Sequence, residues 1–336
     1  TSRRNRHYQR RDCVVHHSAR IAKTADRTVP PPNRLKGPGM EDTIVAILRS
    51  GTPLIYVTLA GVLAQRAGIW HLGLEGLMII GACAAVVGAQ QTGSAAFGIG
   101  IGIVLCVLAS TLLWFVIEKL RANPIIAGLG LTGLGLGSTD LAVQAIYGSQ
   151  ASVNALFGLP RLGPAFGNFG VLSILVVLMP VVVLAVWILT RRTRWGLQLT
   201  ASGEHPFAAR SVGVNPARMR LVALCLGGVL CALGGAELSM GSLHIFAYGM
   251  TAGRGFMAFA AVIFGAANPI GATAAALFFA IVGALGIRAQ LLFGERVSYD
   301  LLLSLPYIAT VIGVWISGKL RGGAKAAASF GELKDY

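Results

Sequence analysis

Charge is scarce in this sequence. Charged residues make up 12% of the 336 residues, whereas soluble globular domains carry about 25%. Hydrophobic residues make up 55%, and the mean hydropathy is +0.70. This balance excludes a soluble globular domain, and it excludes a disordered chain because disorder requires few apolar residues. The composition predicts an all-α protein, a polytopic bundle of transmembrane helices.

The sequence also lacks the motifs of common catalytic and nucleotide-binding sites. There is no GxxxxGK[ST] phosphate-binding loop, so we expect ATP to bind to a separate subunit. GxSxG, HExxH and DDxxD are absent, and His71, His205 and His244 are scattered, which argues against an intramembrane enzyme. The cysteines form no CxxC pair, and those in apolar runs favour packing roles: Cys83, Cys106, Cys225 and Cys231. We expect this chain to bind no metal and no cofactor.

The first 39 residues differ from the rest. Residues 1–39 are polar, basic and rich in proline and glycine, and they contain no apolar run long enough for a signal-peptide core. They predict a solvated, disordered tail. Met40 is followed by Glu41, Asp42 and then an apolar helix, so we interpret Met40 as the working start and the tail as an upstream extension.

Long apolar runs fill most of residues 40–320, which we predict to be one transmembrane domain, with a second polar tail at 321–336. A bilayer core requires about 20 apolar residues of helix. About nine candidate spans are present: 43–65, 72–90, 96–118, 124–146, 170–190, 219–241, 254–267, 270–287 and 298–317. Basic residues concentrate in alternate connections, which indicates membrane topology rather than a nucleic-acid partner. Two GxxxG pairs, Gly98/Gly102 and Gly133/Gly137, predict close helix packing.

The longest polar connection spans residues 191–218. Its segment Gly203-Glu204-His205-Pro206 is predicted to begin a short helix, with proline in the first turn and Gly213 at its end. Such a helix suits docking into a groove of a cytoplasmic partner. The alternative is a plain amphipathic connector.

Charges at membrane depth need a reason, because each costs about 2.5–3.5 kcal/mol at a bilayer centre. We interpret five residues as lining a translocation path: Glu75, Glu237, Arg254, Phe256 and Asn268. The alternative for the charges is pairing for packing, as between Glu237 and Arg254. Asp140 also lies within a predicted span and receives no role. Aromatic residues near the path could stack a base or a sugar, or anchor in lipid: Phe246, Tyr248, Phe256 and Phe259.

The polar connection resembles the coupling loop of ABC-transporter permeases. Ala208, Ala209 and Gly213 match the Ala-Ala-xxx-Gly signature of that family, and Phe207 stands where many permeases have glutamate. Three further stretches are similar to the permease branch for ribose-type sugars, nucleosides and branched-chain amino acids: 51–68, 72–78 and 253–269. Their Glu-Gly-Leu-Met and Gly-Arg-Gly-Phe forms look most like nucleoside-type permeases.

The resemblance implies the function of an importer subunit in the bacterial inner (plasma) membrane, a transport component rather than an enzyme. This chain would form half of the pathway for a nucleoside or simple sugar. The remaining parts would be a second permease, favoured to be a paralogue, ATPase subunits that use ATP and Mg²⁺, and an extracytoplasmic substrate-binding protein. The resemblance assigns ATPase coupling to Gly203, Glu204, Pro206, Phe207, Ala208, Ala209, Gly213 and Asn215.

Two other functions stay open at this point. The cargo could be a branched-chain amino acid, because that substrate class belongs to the same branch. A stand-alone secondary carrier or channel could use Glu75, Asp140 and Glu237 as coupling-ion sites. That second alternative leaves the Ala-Ala-xxx-Gly loop unexplained.

Overall fold

The computed structural model describes residues 40–148, 152–163, 169–293 and 308. The predicted tails at 1–39 and 321–336 lie outside the described residues. So does the predicted span 298–317, apart from Ile308.

The described chain is almost entirely helical. The first five helices are α1 (Met40–Arg66), α2 (Leu74–Thr92), α3 (Ala95–Glu118), α4 (Pro124–Tyr147) and α5 (Ile174–Arg191). They are followed by α6 (Arg194–Glu204), α7 (Pro206–Ser211), α8 (Pro216–Ala236), α9 (Arg254–Phe264) and α10 (Pro269–Phe293). A π-helix, Glu237–Leu243, continues α8 directly. Strand β1 (Ser152–Asn154) pairs antiparallel with β2 (Ile245–Ala247), with Val153 opposite Phe246.

Seven of the described helices are long and apolar enough to cross a membrane: Thr43–Arg66, Leu74–Thr92, Ala95–Glu118, Pro124–Tyr147, Ile174–Arg191, Pro216–Leu243 and Pro269–Gly286. The polytopic helical architecture is therefore confirmed, whereas the predicted count of about nine spans is not. The predicted span 254–267 is not confirmed, because α9 has 11 residues and measures only about 16 Å, which is shorter than a bilayer core.

Helix α2 lies at the centre of the bundle and packs against α3, α4 and α8. Glycines permit these close approaches. A Cβ atom at Gly98 of α3 would lie 2.3 Å from the Ala85 carbonyl oxygen, and one at Gly235 of α8 would lie 2.4 Å from that of Met78. Small residues take this role in membranes because they let helix backbones come together.

The prediction for the first GxxxG pair is confirmed, since Gly98 and Gly102 both face α2. The prediction for Gly133 and Gly137 is wrong for contacts among the described residues, where no atom of another helix lies within 4 Å of the position that a Cβ would occupy on either glycine. Instead, Gly128 and Gly135 of α4 face the backbone of Gly73 and Gly76. The sequence offered several glycines on α4, and only the packing of the helices selected the buried ones.

Candidate functional site

The polar connection between α5 and α8 folds into two helices rather than one. Thr193 caps α6 by accepting a hydrogen bond from Gly196 N at 3.1 Å. Helix α7 begins at Pro206 and ends at Ser211, and Gly213 follows with a φ of +83°, so the predicted short helix and its stop are confirmed. The prediction that Gly203 and Glu204 begin this helix is wrong, because they end α6. The break falls at His205, since proline disfavours helical backbone in the residue before it.

Helix α6 packs against the turn that follows α1, residues 66–68, which we call the α1 corner. A Cβ atom at Gly203 would lie 2.2 Å from the Arg66 carbonyl oxygen and 2.7 Å from Gly68 N. Gly68 itself has a φ of +80°, a left-handed conformation that glycine adopts without strain. The end of α6 and the end of α1 are therefore in direct backbone contact, and any side chain at position 203 would separate them.

Helix α7 presents its signature residues on two opposite sides. Ala209 is 3% exposed and anchors the helix, whereas Phe207 is 79% exposed and Ala208 is also exposed. The chain then turns through Gly213 to Asn215, whose Oδ1 accepts from Arg218 N at 3.3 Å and caps α8. An exposed apolar side chain on a polar connection is a suitable anchor for a partner protein.

Two arginines, Arg66 and Arg220, hold the turn that follows α1, and the sequence analysis predicted neither of these contacts. Arg66 donates from Nε to the Ala267 carbonyl at 2.9 Å and from Nη1 to the Thr190 carbonyl at 3.1 Å. Arg220 donates from Nε to the Ala67 carbonyl at 3.2 Å and forms an ion pair with Glu118 at 2.6 Å. For Arg66 a signal was available in its position in the last turn of α1, because carbonyl groups at helix C-termini lack partners and attract cations. Arg220 lies near the start of α8, and its position gave no such signal.

Glu75 lies at the start of α2 and is 5% exposed. Its carboxylate accepts hydrogen bonds from Gly253 N at 2.9 Å and from Gly255 N at 2.5 Å, at the N-terminus of α9. Arg254, between those glycines, donates from Nη1 to the Met250 carbonyl at 3.0 Å. The structure thus places three of the predicted path residues, Glu75, Arg254 and Phe256, at one end of the short helix.

Glu237 lies elsewhere, in the π-helix after α8, and is fully buried. Its carboxylate accepts from Ser173 Oγ at 2.5 Å and from Ser242 Oγ at 3.5 Å. Asn268 lies in the turn after α9, and its Oδ1 is buried without a hydrogen-bond partner among the described residues. The predicted path residues therefore occupy three places: the two ends of α9 and the π-helix.

The other predicted residues have mixed surroundings. Asp140 accepts a hydrogen bond at 3.0 Å from Gln144, within its own helix. Among the aromatic residues, Phe246 is buried at 2% exposure, whereas Tyr248 is 59% and Phe256 39% exposed. Phe259 contacts Trp70 edge-to-face at 5.9 Å. Of the four, Tyr248 and Phe256 present the most ring surface for stacking.

A family profile described as "Branched-chain amino acid transport system / permease component" matches residues 43–320. The chain belongs to this family of ABC-transporter permeases. It is therefore a multi-pass permease component of the inner membrane and not an enzyme, as the sequence predicted. The match includes α6, α7 and every described transmembrane helix.

Three relatives in this permease family are similar over most of their length. The guanosine ABC transporter permease NupQ of Bacillus subtilis (strain 168) is 32% identical over 81% of this chain and 90% of its own. The nucleoside ABC transporter permease NupC of Lactococcus lactis subsp. cremoris (strain MG1363) is 32% identical over 80% and 90%. The putative glucose permease TsgC13 of Haloferax volcanii is 32% identical over 73% and 77%. No solved structure matches the chain.

Proposed function

We propose that this permease imports a nucleoside, as one half of a translocation pathway driven by a separate ATPase. The observation that carries the coupling role is the α6–α7 connection: an exposed Phe207 on α7, and Gly203 in backbone contact with the end of α1. The names of NupQ and NupC support the nucleoside cargo. The name of TsgC13 supports a simple sugar as the second candidate.

The geometry suggests how ATP energy reaches this chain, which supplies no nucleotide-binding loop of its own. The ATPase partner binds ATP and Mg²⁺ and docks on the exposed side of α7. Closure of the ATPase displaces α6 together with α7, because only His205 separates them. The contact between Gly203 and Gly68 then transmits that displacement to α1. A paralogous second permease completes the pathway, and a binding protein delivers the substrate from outside.

Docking on α7 predicts a large effect of Phe207→Ala. An exposed aromatic anchor in an interface contributes about 2 kcal/mol or more, so affinity for the ATPase subunit should fall about thirtyfold. Titration of the purified ATPase onto the permease in nanodiscs measures this affinity. Leu156→Ala is the matched control, because Leu156 is 78% exposed and the candidate span α5 separates it from Phe207 along the chain. Equal affinities for wild type and Phe207→Ala would contradict docking at α7.

The cargo is tested by uptake into proteoliposomes that contain this permease, its ATPase and second permease, and the cognate binding protein. Labelled guanosine should accumulate only with ATP inside the reconstituted system, and unlabelled glucose or leucine should not compete. Competition by glucose would select the sugar candidate. Competition by leucine would select a branched-chain amino acid as the cargo. Uptake without any ATPase would contradict the importer function itself.

The lining of the path is part of the same proposal. We assign it to Glu237, Arg254, Phe256 and Asn268. The buried carboxylate of Glu237 lies within the candidate span Pro216–Leu243, where a charged group is costly, and Asn268 carries a buried amide oxygen with no partner among the described residues. Phe256, at 39% exposure, offers a ring face for a nucleobase. Glu75 receives a different role, because both of its hydrogen bonds go to one helix end.

A further inference from the structure

Helix α9 is a short, separate element with a strained turn at each end. Ala252 precedes it with a φ of +45°, and Ala266 and Ala267 follow it with φ values of +50° and +53°. The left-handed conformation costs a residue with a side chain about 1–2 kcal/mol. Such turns persist only where surrounding contacts hold them. The contacts at both ends of α9 therefore need an explanation.

The N-terminal end of α9 is held by an anion. Glu75 accepts from Gly253 N and Gly255 N, two donors of the first turn. A carboxylate is favoured there because a helix N-terminus carries partial positive charge, and charge-assisted hydrogen bonds are stronger than neutral ones. The backbones are also in contact, since a Cβ atom at Gly255 would lie 2.4 Å from Glu75 N. This end of α9 is thus attached to the start of α2.

The C-terminal end of α9 is held by a cation. Arg66 donates to the carbonyl of Ala267, in the turn that ends the helix, and the same guanidinium donates to Thr190 at the end of α5. The carbonyl of Arg66 itself is the atom against which Gly203 of α6 packs. The residue that holds α9 is therefore also the residue that α6 touches.

We propose that Glu75 and Arg66 are positioning residues that clamp α9 between them, so that α9 moves as a rigid strut when α6 moves. Displacement of α6 reaches Arg66 through Gly203, passes to the Ala267 turn, and is carried along α9 to its attachment at Glu75. The two charges have the signs that the helix dipole favours at each end. This inference rests on the proposed coupling role of α6 and α7.

The experiment compares Glu75→Gln, Arg66→Lys and the double variant in the reconstituted transporter. The ratio of substrate transported to ATP hydrolysed should fall about fivefold or more in each single variant, while basal ATP hydrolysis remains. The double variant should have the same transport ratio as the more impaired single variant, because both changes release the same helix, α9. A wild-type transport ratio in both single variants would overturn the proposal. A loss in the double variant equal to the sum of the two single losses, in free-energy terms, would also overturn it.

Two control variants make the same kind of substitution at a carboxylate and at an arginine that contact only nearby residues of the chain in the described structure. Asp140→Asn alters a carboxylate bonded to Gln144 of its own helix, and Arg192→Lys alters a guanidinium that stacks on Trp187 at 5.5 Å. Both should leave the transport ratio within about twofold of wild type. Losses equal to those of the clamp variants would show a general effect of charge and overturn the assignment.

Hydrogen exchange of the α9 amides separates this inference from the proposed function. In the permease alone, Glu75→Gln and Arg66→Lys should each lower the protection of residues 255–264, and Asp140→Asn should not. Unchanged protection in both clamp variants would contradict the clamp even if wild-type transport depends on ATP. Lowered protection combined with ATP-independent uptake by the wild type would instead contradict the coupling role on which the proposal rests.

Discussion

Replacing Gly203 by alanine is expected to disconnect the ATPase from the membrane helices. The new Cβ atom would lie 2.2 Å from the Arg66 carbonyl oxygen, which is backbone and cannot rotate away. The ends of α6 and α1 must then separate, at a cost of about 1–3 kcal/mol for overpacking. We expect ATP-driven uptake to fall about tenfold while the ATPase still binds, because Phe207 and the exposed side of α7 are unchanged. Uptake, ATP hydrolysis and ATPase affinity are measured together in proteoliposomes.

Gly133→Ala is the control for this prediction. No described atom outside its own stretch of helix lies within 4 Å of the position that its Cβ would occupy, and alanine is favoured over glycine in a helix by about 1 kcal/mol. Uptake by Gly133→Ala should therefore equal that of wild type. Wild-type uptake by Gly203→Ala would show that α6 does not need its contact with α1.

Removing the side chain of Arg220 is expected to give the largest loss of stability. Arg220→Ala leaves the Glu118 carboxylate without its ion pair and the Ala67 carbonyl without its donor. The two side chains are only 10% and 15% exposed, and breaking a buried pair costs about 3–5 kcal/mol. Unfolding of the purified permease in detergent, followed by heat or denaturant, measures the change in the free energy of unfolding.

Two companion variants show whether the ion pair is the cause. Arg218→Ala removes an exposed arginine half a turn away and should change stability by about 0.5 kcal/mol or less. Arg220→Met combined with Glu118→Leu should recover most of the loss, because an apolar pair leaves no charge unpaired. A double variant as unstable as Arg220→Ala would indicate that the Ala67 hydrogen bond, not the ion pair, holds the corner.

The connection that contains α6 and α7 shows which features a local sequence pattern can predict. Pro206 and Gly213 predicted the limits of α7 because proline lacks an N–H donor and glycine tolerates a positive φ, and both effects depend only on the neighbouring backbone. The assignment of Gly203 to the same helix failed for a tertiary reason. Its lack of a side chain serves the contact with Arg66 and Gly68, more than 130 positions earlier in the chain.

Glu75 shows the same limit in the membrane. A carboxylate in an apolar run predicts a functional or paired group, because its burial is costly. The local sequence does not identify the residue to which it is bonded. The partner is a pair of backbone N–H groups that lie 178 and 180 residues further along the chain. The position of Arg66 at a helix end was a weaker signal, since an arginine at a span end also serves as a topology marker.

The amino-acid sequence alone determined that the chain is a helical membrane protein of the ABC permease type. Hydropathy and short motifs act over single helices and turns, so they can be read without coordinates. Only the structure decided that α9 is an 11-residue helix, which glycines lie in helix contacts, and that Arg66 and Glu75 hold the two ends of one helix. Those features depend on which distant backbone groups meet, and pairing between distant groups follows from packing rather than from local composition.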